Sequence, residues 1–498
     1  MQTIRTDIAI IGSGVGGSAV AHQLVGSGAK ILILERGGDL PNEPQNSDAE
    51  AVFVQSRYKT HDEWVDAKGK PYQPGQYYYV GGHTKFYGTA MFRFRESDFA
   101  QTQIDGATSP AWPVSYADLA PYYASAERLY GVRGAAGVDP TEPPRDAFPH
   151  AAIPHEPVIA ALSDRLRAQG LHPFAMPSAV DYGPGGTCRR CGTCDAFACR
   201  FDAKGDADTR VLRPLLAHPD VRLERNAEVT RLILDGAGQR IVAAEMRRNG
   251  EILRVEAPVF VLSAGAINSA LILLRSACEA APDGIANRSD VVGRYLMNHH
   301  LSGLMAVKPF TPNATKFPKT LSLNDFYHSL PDDPDARGNI QMLGNIQGAM
   351  IRATYPATPR VVADWLSRHS VDVLAMGEDL PDRDSRVRLL DGERVQVVGH
   401  SLIAFCDADH SQSRIDEELL DALFELSREF MPGANHTGAW FHFVTWLRSD
   451  HCPASQFGFE IGQLGFHADR NVSAKIMTAG SKEQILNLLR SARSGIGN

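Results

Sequence analysis

A glycine-rich stretch near the start of the sequence has the residue types and spacing needed to bind a dinucleotide. An apolar run leads into Gly12, Gly14 and Gly17, and a second apolar run, about twenty residues on, ends at Glu35. Glycines permit a tight turn and close approach to a pyrophosphate, the following helix directs its positive N-terminus at the phosphates, and the acid accepts from ribose hydroxyls. The alternative is a glycine-rich turn that binds no ligand, and the position of Glu35 argues against it.

Four cysteines form a second group that could do chemistry. Cys188, Cys191, Cys194 and Cys199 are four of the seven cysteines in the chain. Two consecutive CxxC steps can place thiolates around one metal ion or iron–sulfur cluster. A disulfide, or buried thiols that fix a tight loop, are the alternatives. The spacing does not decide between them.

A third stretch, residues 77–88, combines aromatic side chains with paired glycines and a polar cluster. Gly81 and Gly82 would let the backbone approach a flat or anionic group, and Arg93 and Arg95 follow closely enough to add positive potential. The alternative is a tight turn with an aromatic anchor.

Alternating strands and helices must position these residues. The apolar runs at 8–11 and 31–34 predict two strands, with a helix over 19–25 between them. Residues 221–262 predict strands and turns, in which Asn249-Gly250 is a strong hairpin signal. A further apolar strand begins at Val259 and leads into small residues and a helix.

The other segments carry weaker signals. Helices are predicted over 112–130, where Pro121 suits a first helical turn, and over 158–169. Residues 39–75 read as loop and connection, and residues 131–156, rich in glycine, proline and alanine, predict a surface excursion. Residues 303–375 predict a sheet-rich substrate domain, and residues 414–430 a helix.

Length and composition narrow the class of protein. A chain of 498 residues suggests two or more domains. A net charge of −8 gives no reason to expect a nucleic-acid partner. The sequence has no apolar run long enough for a membrane span and no signal-peptide pattern. We therefore expect no membrane association, a cytoplasmic location and cysteines that are mostly thiols or ligands.

Several separate stretches together resemble the glucose–methanol–choline (GMC) family of FAD-dependent oxidoreductases. Besides the glycine-rich stretch with Glu35 and the stretch over 81–88, they are residues 112–123, 191–204, 263–269, 293–299 and 378–387. Within the family, the loop over 81–86 and the cysteine-rich segment are most similar to bacterial sugar- and glycoside-oxidising members of pyranose-oxidase type.

The resemblance implies FAD as the cofactor and an α/β fold of mixed (α+β) character, in which a Rossmann-like FAD-binding domain is joined to a second, sheet-containing substrate domain. We expect the FAD-binding domain to be discontinuous, over 1–38, 200–300 and 430–498, and the substrate-binding domain with its connecting loops to occupy 39–199 and 301–429. The residues expected to bind the cofactor are Gly12, Gly14, Val15, Gly16, Gly17, Glu35, Arg36, Gly81, Gly82, His83, Thr84, Lys85, Val229, Ala264 and Gly265.

The resemblance also implies that an alcohol of a small-molecule sugar or glycoside is oxidised to a carbonyl. A histidine base takes the hydroxyl proton while hydride passes to flavin N5, because hydride leaves readily only from an alkoxide-like carbon. The electrons then pass to O₂ or to a separate acceptor, and a cysteine-bound cluster would favour the separate acceptor. For His83 the resemblance raises covalent attachment of the flavin, with lining of the flavin pocket as the alternative.

The C-terminal region departs from the family. Family members carry a histidine followed by Gly-Thr and a later Asn-Pro, and no Asn-Pro occurs after residue 390 of this chain. The tail has diverged, been replaced or been read in another frame. His436 and His442 are the candidates for the catalytic base, and an ordinary surface or core histidine is the alternative for each. A flavin-binding protein that is catalytically degenerate or regulatory is therefore a second hypothesis, and an NAD-dependent reductase a weaker third.

Overall fold

The computed structural model describes residues 2–104, 107–308, 310–328, 338–377, 379–399 and 402–403. Within these residues the chain has a mixed α/β fold built around four sheets of four or five strands. The strands are, in chain order, β1 (Thr3–Arg5), β2 (Ile8–Ile11), β3 (Ile31–Leu34), β4 (Trp64–Val65), β5 (Pro71–Tyr72), β6 (Thr102–Ile104), β7 (Ala107–Ser109), β8 (Arg133–Gly134), β9 (His150–Ala151), β10 (Phe174–Ala175), β11 (Val221–Glu224), β12 (Glu228–Leu234), β13 (Ile241–Arg248), β14 (Glu251–Glu256), β15 (Val259–Leu262), β16 (His300–Val307), β17 (Leu321–Leu323), β18 (Asn339–Met342), β19 (Ser370–Gly377), β20 (Asp379–Leu380), β21 (Arg386–Leu390), β22 (Arg394–Val398) and β23 (Leu402–Ile403).

The α-helices of the same residues are α1 (Val15–Leu24), α2 (Tyr116–Tyr130), α3 (Pro157–Ala168), α4 (Arg213–Leu215), α5 (Ala266–Arg275), α6 (Gly348–Thr354) and α7 (Arg360–His369). Short helical turns of other types span Pro44–Ser47, Glu50–Val54, Gly82–Lys85, Glu96–Phe99 and Asp208–Leu212. None of the helices in the described part of the chain is both long enough and apolar enough to cross a membrane.

A parallel sheet in the order β11-β3-β2-β15 carries the first predicted stretch. β2 and β3 are buried along their whole length, because both faces of the sheet are covered. Ile10 and Ile33 pack with Ala21 of α1, whereas Ile11 and Leu32 pack against the neighbouring sheet, which is mixed. Segments more than 200 positions apart thus complete one sheet, since β15 pairs directly with β2.

The neighbouring sheet has the order β1-β14-β13-β12. Its β13–β14 hairpin turns at Asn249 and Gly250, whose φ angles are +51° and +82°. Two consecutive left-handed residues are what a type I′ turn requires, so the predicted hairpin is confirmed.

A five-stranded antiparallel sheet has the order β10-β17-β18-β19-β16. α3 covers one face, where Ile159 and Leu162 pack against Leu304 and Val373. The predicted helix over 158–169 is confirmed as α3. The other face packs into an apolar cluster that includes aromatic residues of the stretch over 77–88.

A fourth sheet, β21-β22-β4-β5, packs on α5 through Leu271 and Val387. It contains β4 and β5, which together with two short helical turns lie in the segment predicted as loop and connection over 39–75. That prediction is therefore only partly right.

Pro121 does not lie in a first helical turn as predicted. α2 begins at Tyr116 and is capped by Ser115, whose hydroxyl accepts from the N–H of Asp118 while the Asp118 carboxylate accepts from the N–H of Ser115. This capping box fixes the start of the helix and places Pro121 in its second turn.

Residues 131–156 are not a surface excursion throughout. Asp139 pairs with Arg95, and Arg145 pairs with Glu127 at 2.6 Å, and these four side chains are all buried. The composition of the segment gives no sign of these ion pairs, because the residues that pair with Asp139 and Arg145 lie elsewhere in the sequence. The predicted helix over 414–430 and the predicted third segment of the FAD-binding domain, 430–498, lie outside the described residues.

Candidate cofactor and active site

The turn after β2, here called the first loop (residues 12–17), is so tight that two of its glycines cannot carry a side chain. Gly12 has a φ of +104°, and a Cβ there would lie 2.3 Å from the carbonyl oxygen of Ser263. A Cβ at Gly17 would lie 2.0 Å from the carbonyl oxygen of Gly12, whereas one at Gly16 would meet its nearest neighbour at an ordinary 3.6 Å. Gly12 and Gly17 are therefore demanded by close backbone packing.

The first turn of α1 is open to solvent. Val15 is 50% exposed and Gly16 is also exposed. The N-cap residue, Gly14, has an extended backbone and no side chain with which to cap the helix. The N–H groups of the first turn are thus available to an anion, which the helix dipole also favours.

Glu35 lies at the end of β3 with its carboxylate turned toward the first loop. It accepts hydrogen bonds from the N–H of Ser13 at 3.1 Å, from the hydroxyl of Ser13 at 2.5 Å and from the N–H of Gly37 at 2.8 Å. Burial raises the pKa of Glu35, and these hydrogen bonds oppose that shift.

The second loop (residues 81–88) contacts the first loop directly. Gly81 and Gly82 have φ angles of +90° and +60°, and a Cβ at Gly82 would lie 3.0 Å from the Cα of Gly14. The N–H of Gly81 donates to the hydroxyl oxygen of Ser13 at 3.1 Å. Two stretches that the sequence presents separately are therefore joined through Ser13, whose own hydroxyl donates to Glu35.

Thr84 and Lys85 hold the second loop on the segment that follows the cysteines. The hydroxyl of Thr84 donates to the carbonyl of Gly81 at 2.5 Å and accepts from the N–H of Ala207 at 3.0 Å. The ammonium of Lys85 lies 2.9 Å from Asp208 and 3.3 Å from Asp206. Because its charge is already paired, Lys85 acts here by positioning the loop.

His83 is neutral at physiological pH. Its Nε2 atom accepts a hydrogen bond from the N–H of Tyr77 at 3.4 Å, and the ring of Tyr77 meets it edge-on at 5.9 Å. Burial lowers the pKa of His83 to about 4. With Nε2 accepting, the proton lies on Nδ1. Attachment of the flavin to this residue stays a prediction.

Ala264 and Gly265 border the first loop from the other side. The N–H of Ser263 donates to the carbonyl of Ile11 at 2.8 Å, which continues the pairing of β15 with β2. The N–H of Ala264 donates to the hydroxyl oxygen of Ser269 at 3.1 Å. Gly265, with a φ of +81°, is the N-cap of α5 and has open space around its Cα.

Arg36 follows the end of β3 next to Glu35, whereas Val229 lies on β12 of the neighbouring sheet. The guanidinium of Arg36 pairs with Asp62 at 2.8 Å and Glu228 at 3.3 Å, and stacks 4.0 Å above the ring of Tyr78. The side chain of Val229 is buried. Because β12 is at the edge of its sheet, a ligand contact at Val229 would come from its backbone.

These features fit the nucleotide part of FAD. The first loop excludes side chains where a pyrophosphate would approach, the amides of α1 would hold the phosphates, and Glu35 would hold the ribose hydroxyls. The second loop would border the flavin. Sequence reasoning missed Ser13, Asp206 and Asp208 as supports of this site. The sequence features that could have indicated these supports are the hydroxyl residue Ser13 inside the glycine motif and the acidic residues Asp206 and Asp208 after the cysteines.

The four clustered cysteines are free thiols in a loop packed against the second loop. Cys188 and Cys194 border a small apolar cluster with Val180 and Phe317, while Cys191 is exposed. Burial raises the pKa of the Cys194 thiol. In the described part of the chain, no three His, Cys, Asp or Glu side chains are arranged to hold a metal ion.

Lys204 ties the cysteine segment to the second loop, and sequence reasoning missed this role. Lys204 is 2% exposed, and its ammonium donates to the carbonyls of Tyr87 at 2.8 Å, Cys194 at 2.6 Å and Phe197 at 2.7 Å. A buried ion pair, Lys319 with Asp195 at 2.5 Å, lies against Gly88. Nothing in the local sequence around Lys204 marks it as a buried cation.

The two candidate bases, His436 and His442, lie outside the described residues. Their role as the catalytic base stays a prediction.

Comparison with known proteins places these features among flavin oxidoreductases. Residues 161–301 match the family model described as GMC oxidoreductase. The chain is 32% identical over 400 residues to 6'''-hydroxyparomomycin C oxidase of Streptomyces lividus, over 77% of this chain and 69% of that protein. It is also 32% identical over 402 residues to paromamine 6'-oxidase of Streptomyces fradiae, with the same coverage.

A solved structure shares the fold. The crystal structure of pyridoxine 4-oxidase from Mesorbium loti superposes with a TM-score of 0.53 at 17% sequence identity, and the match covers 87% of this chain and 84% of that one.

Proposed function

This chain belongs to the GMC oxidoreductase family and is an FAD-dependent oxidoreductase acting on CH–OH groups, and we propose that its substrate is a sugar or glycoside, oxidised at one hydroxyl to a carbonyl. The observation that supports a working cofactor site is the junction of the first and second loops. Gly82 lies against Gly14, and the Gly81–Ser13–Glu35 hydrogen bonds connect the two loops. The substrate class is supported by the names of the relatives, both of which are oxidases of amino sugars.

Different residues of the chain bind the cofactor, position the second loop and remove the hydroxyl proton. Bound FAD would supply the acceptor for the hydride of the carbinol carbon. The first loop and Glu35 hold the nucleotide, and the second loop, fixed by Thr84 and Lys85, borders the reacting region. His83 stays neutral and so adds no positive charge there. We propose that His436 or His442 takes the hydroxyl proton, and that O₂ or a separate acceptor receives the electrons.

We also propose that the cofactor domain is discontinuous, over 1–38, 200–300 and 430–498. The pairing of β2 and β3 with β11 and β15 supports the first two segments.

The test is an absorbance spectrum of the purified protein, before and after acid precipitation, together with its iron content. We expect a flavin spectrum, release of FAD into the supernatant and anaerobic bleaching by a sugar. Flavin retained in the pellet would indicate attachment, with His83 as the first residue to substitute.

Three other outcomes would change the conclusion. FAD without bleaching by any of a panel of sugars and glycosides would favour the degenerate or regulatory hypothesis. Iron with broad visible absorbance would make the cysteines a cluster and the enzyme a dehydrogenase. A protein that binds no flavin would contradict the proposal.

A further inference from the structure

The cysteine segment, residues 188–199, is anchored at its start and in its inner half but not between them. The N–H of Cys188 donates to the carbonyl of Asp181 at 3.0 Å. Further along, the ammonium of Lys204 holds the carbonyl of Cys194. Among the described residues, none of the five that follow Cys188 takes part in a backbone-to-backbone hydrogen bond. The stretch between Cys188 and Cys194 can therefore change conformation without breaking either anchor.

Cys191 lies in the middle of this unanchored stretch and is exposed. Both of its neighbours have left-handed backbones, with φ angles of +51° at Arg190 and +77° at Gly192. A left-handed backbone is unfavourable for a residue with a long side chain, and such positions are concentrated at functional sites. The conformation of the turn thus singles out the residue at its centre.

The surroundings of Cys191 are those of a reactive thiol. Its sulfur lies 3.1 Å from the hydroxyl oxygen of Thr193, whose side chain is buried. Arg189 and Arg190 precede it directly, and both are exposed. Exposed cysteines with positive charges and a hydrogen-bond donor close to the sulfur are the ones that react with oxidants, whereas buried structural cysteines are inert.

Cys188 is the partner thiol that the structure favours. It is half-buried beside Val180 and Phe317. Burial raises the pKa of the Cys188 thiol, and a hydrogen bond from the N–H of Arg190 opposes that shift. A charge on Cys191 also raises the pKa of Cys188, an effect that requires the two sulfurs to be near each other.

Cys194 and Cys199 are less available for a disulfide. Burial raises the pKa of the Cys194 thiol, and its carbonyl is held by Lys204. The sulfur of Cys199 accepts from the N–H of Ala203 at 3.4 Å, directly after the buried residues 195–198. Both cysteines belong to the inner half of the segment, which supports the second loop, so a disulfide to either would disturb that support.

We propose that Cys191 and Cys188 are a redox-active pair, at which hydrogen peroxide forms a reversible disulfide in the loop packed against the second loop. The Cys191 thiolate attacks one oxygen of the peroxide, which gives a sulfenic acid and hydroxide. The Cys188 sulfur then attacks the sulfenic sulfur, the S–S bond forms and the hydroxyl leaves as water. Two thiols thus lose two electrons and two protons, and one peroxide is reduced to two waters.

The oxidant is one that the enzyme itself produces if O₂ receives the electrons of the flavin. The pair would then respond to turnover close to where the peroxide forms, because Lys204 joins the cysteine segment to the carbonyl of Tyr87 in the second loop. The inference goes beyond the proposed function and does not depend on it, since added peroxide tests the thiols directly.

The test is peptide mapping of the FAD-loaded protein. The protein is reduced, freed of the reductant without air, exposed to a small excess of hydrogen peroxide for increasing times, alkylated and digested with trypsin. Trypsin cuts after Arg189 and Arg190, so Cys188 and Cys191 fall in different peptides. We expect the peptide that ends at Arg189 to become joined to the one that begins at Cys191, and dithiothreitol to separate them again.

Cys278 is the internal control for the rate. It is also exposed, but its neighbours are Ala277 and Glu279 instead of arginines. The disulfide should form at least about tenfold faster than Cys278 loses its reactivity toward the alkylating reagent, because positive surroundings and a neighbouring thiol both favour oxidation. Equal rates would mean that the peroxide oxidises any exposed cysteine, and the inference would be wrong.

Variants locate the site. Cys191→Ser should abolish the joining of the peptides while leaving the FAD content and the melting temperature unchanged. Arg189→Gln combined with Arg190→Asn should slow the joining about threefold, because two positive charges no longer stabilise the anionic sulfur and the leaving hydroxide. Asparagine is chosen at position 190 because it tolerates the left-handed backbone. An unchanged rate in this double variant would contradict the role of the arginines.

Other outcomes would overturn the inference. A disulfide between Cys191 and Cys194 would appear as the loss of two hydrogen masses within one peptide, without joining. Thiols that stay reduced, or iron that protects all four cysteines, would also contradict the pair. Failure of the proposed function is seen separately, as FAD that no sugar bleaches or as protein without FAD, and neither of these results alters the thiol chemistry.

Discussion

The first and second loops meet in space but are held by different forces. In the first loop, glycines allow backbone atoms of Gly12, Gly17 and Ser263 to approach one another closely. The second loop is held by the buried charges of Lys85 and Lys204, whose partners include Asp206, 121 positions after Lys85. The glycines that permit close backbone packing can be recognised in the local sequence. The charge partners come from distant positions and are brought together only by the fold.

The largest effect should follow from Gly17→Ala. The added Cβ would lie 2.0 Å from the carbonyl oxygen of Gly12, so α1 would have to move away from β2. We expect a loss of about 4 kcal/mol or more in the free energy of unfolding, and no bound FAD, measured by urea denaturation and by flavin absorbance. Gly236→Ala is the control, since Gly236 has open space around it. A Gly17→Ala protein that retains FAD would show that the first loop tolerates movement.

Lys204→Met tests the second loop. Methionine fills a similar volume but leaves the carbonyls of Tyr87, Cys194 and Phe197 unpaired in the interior. We expect a loss of about 3–5 kcal/mol in the free energy of unfolding, with reduced loading of FAD. Lys68→Met, at an exposed lysine, should change stability by less than about 0.5 kcal/mol. Equal stabilities of the two variants would mean that the second loop does not depend on its buried cation.

The pH dependence of stability should also differ between the loops. Burial lowers the pKa of His83 in the second loop from its ordinary 6.5 to about 4. As the pH falls below 6.5 the unfolded chain binds a proton that the folded chain excludes, so stability is lost between about pH 6.5 and pH 4, by up to about 3 kcal/mol.

The measurement compares the wild-type protein with His83→Asn by urea denaturation at pH 7, 6 and 5. The difference between the two isolates His83 from other titrating groups. The wild-type protein should lose more stability than the variant on acidification, and parallel curves would show that His83 takes up its proton without cost.

The contrast between the loops also explains which parts of the fold and of the candidate site could be predicted from the sequence. The parallel strands, the turn at Asn249-Gly250 and α3 follow from periodicity and local turn chemistry, and all three are confirmed. The ion pair of Lys319 with Asp195 joins residues 124 positions apart, and Asp139 lies in a segment whose composition indicates a surface loop. Neither ion pair can be recognised from the local sequence, because the residues around a buried charge do not identify its distant partner. The site residues themselves stay predictions until a cofactor is measured.

The smallest effect should come from Asp62→Asn, which removes a charge pair at the entrance to the second loop. Arg36 follows Glu35 and pairs with Asp62, and both side chains are about 30% exposed. Arg36 also keeps Glu228 and the ring of Tyr78 as partners. Since a partly exposed pair is screened by water, we expect a loss of less than about 1 kcal/mol in the free energy of unfolding, reduced further in 0.5 M salt. Glu63→Gln, at the exposed neighbouring position, is the matched control. A loss above about 2 kcal/mol would mean that the Asp62 pair stabilises the segment leading to the second loop about as much as the buried lysines stabilise the loop itself. The stabilising effect of an ion pair would then not depend on whether its charges are buried.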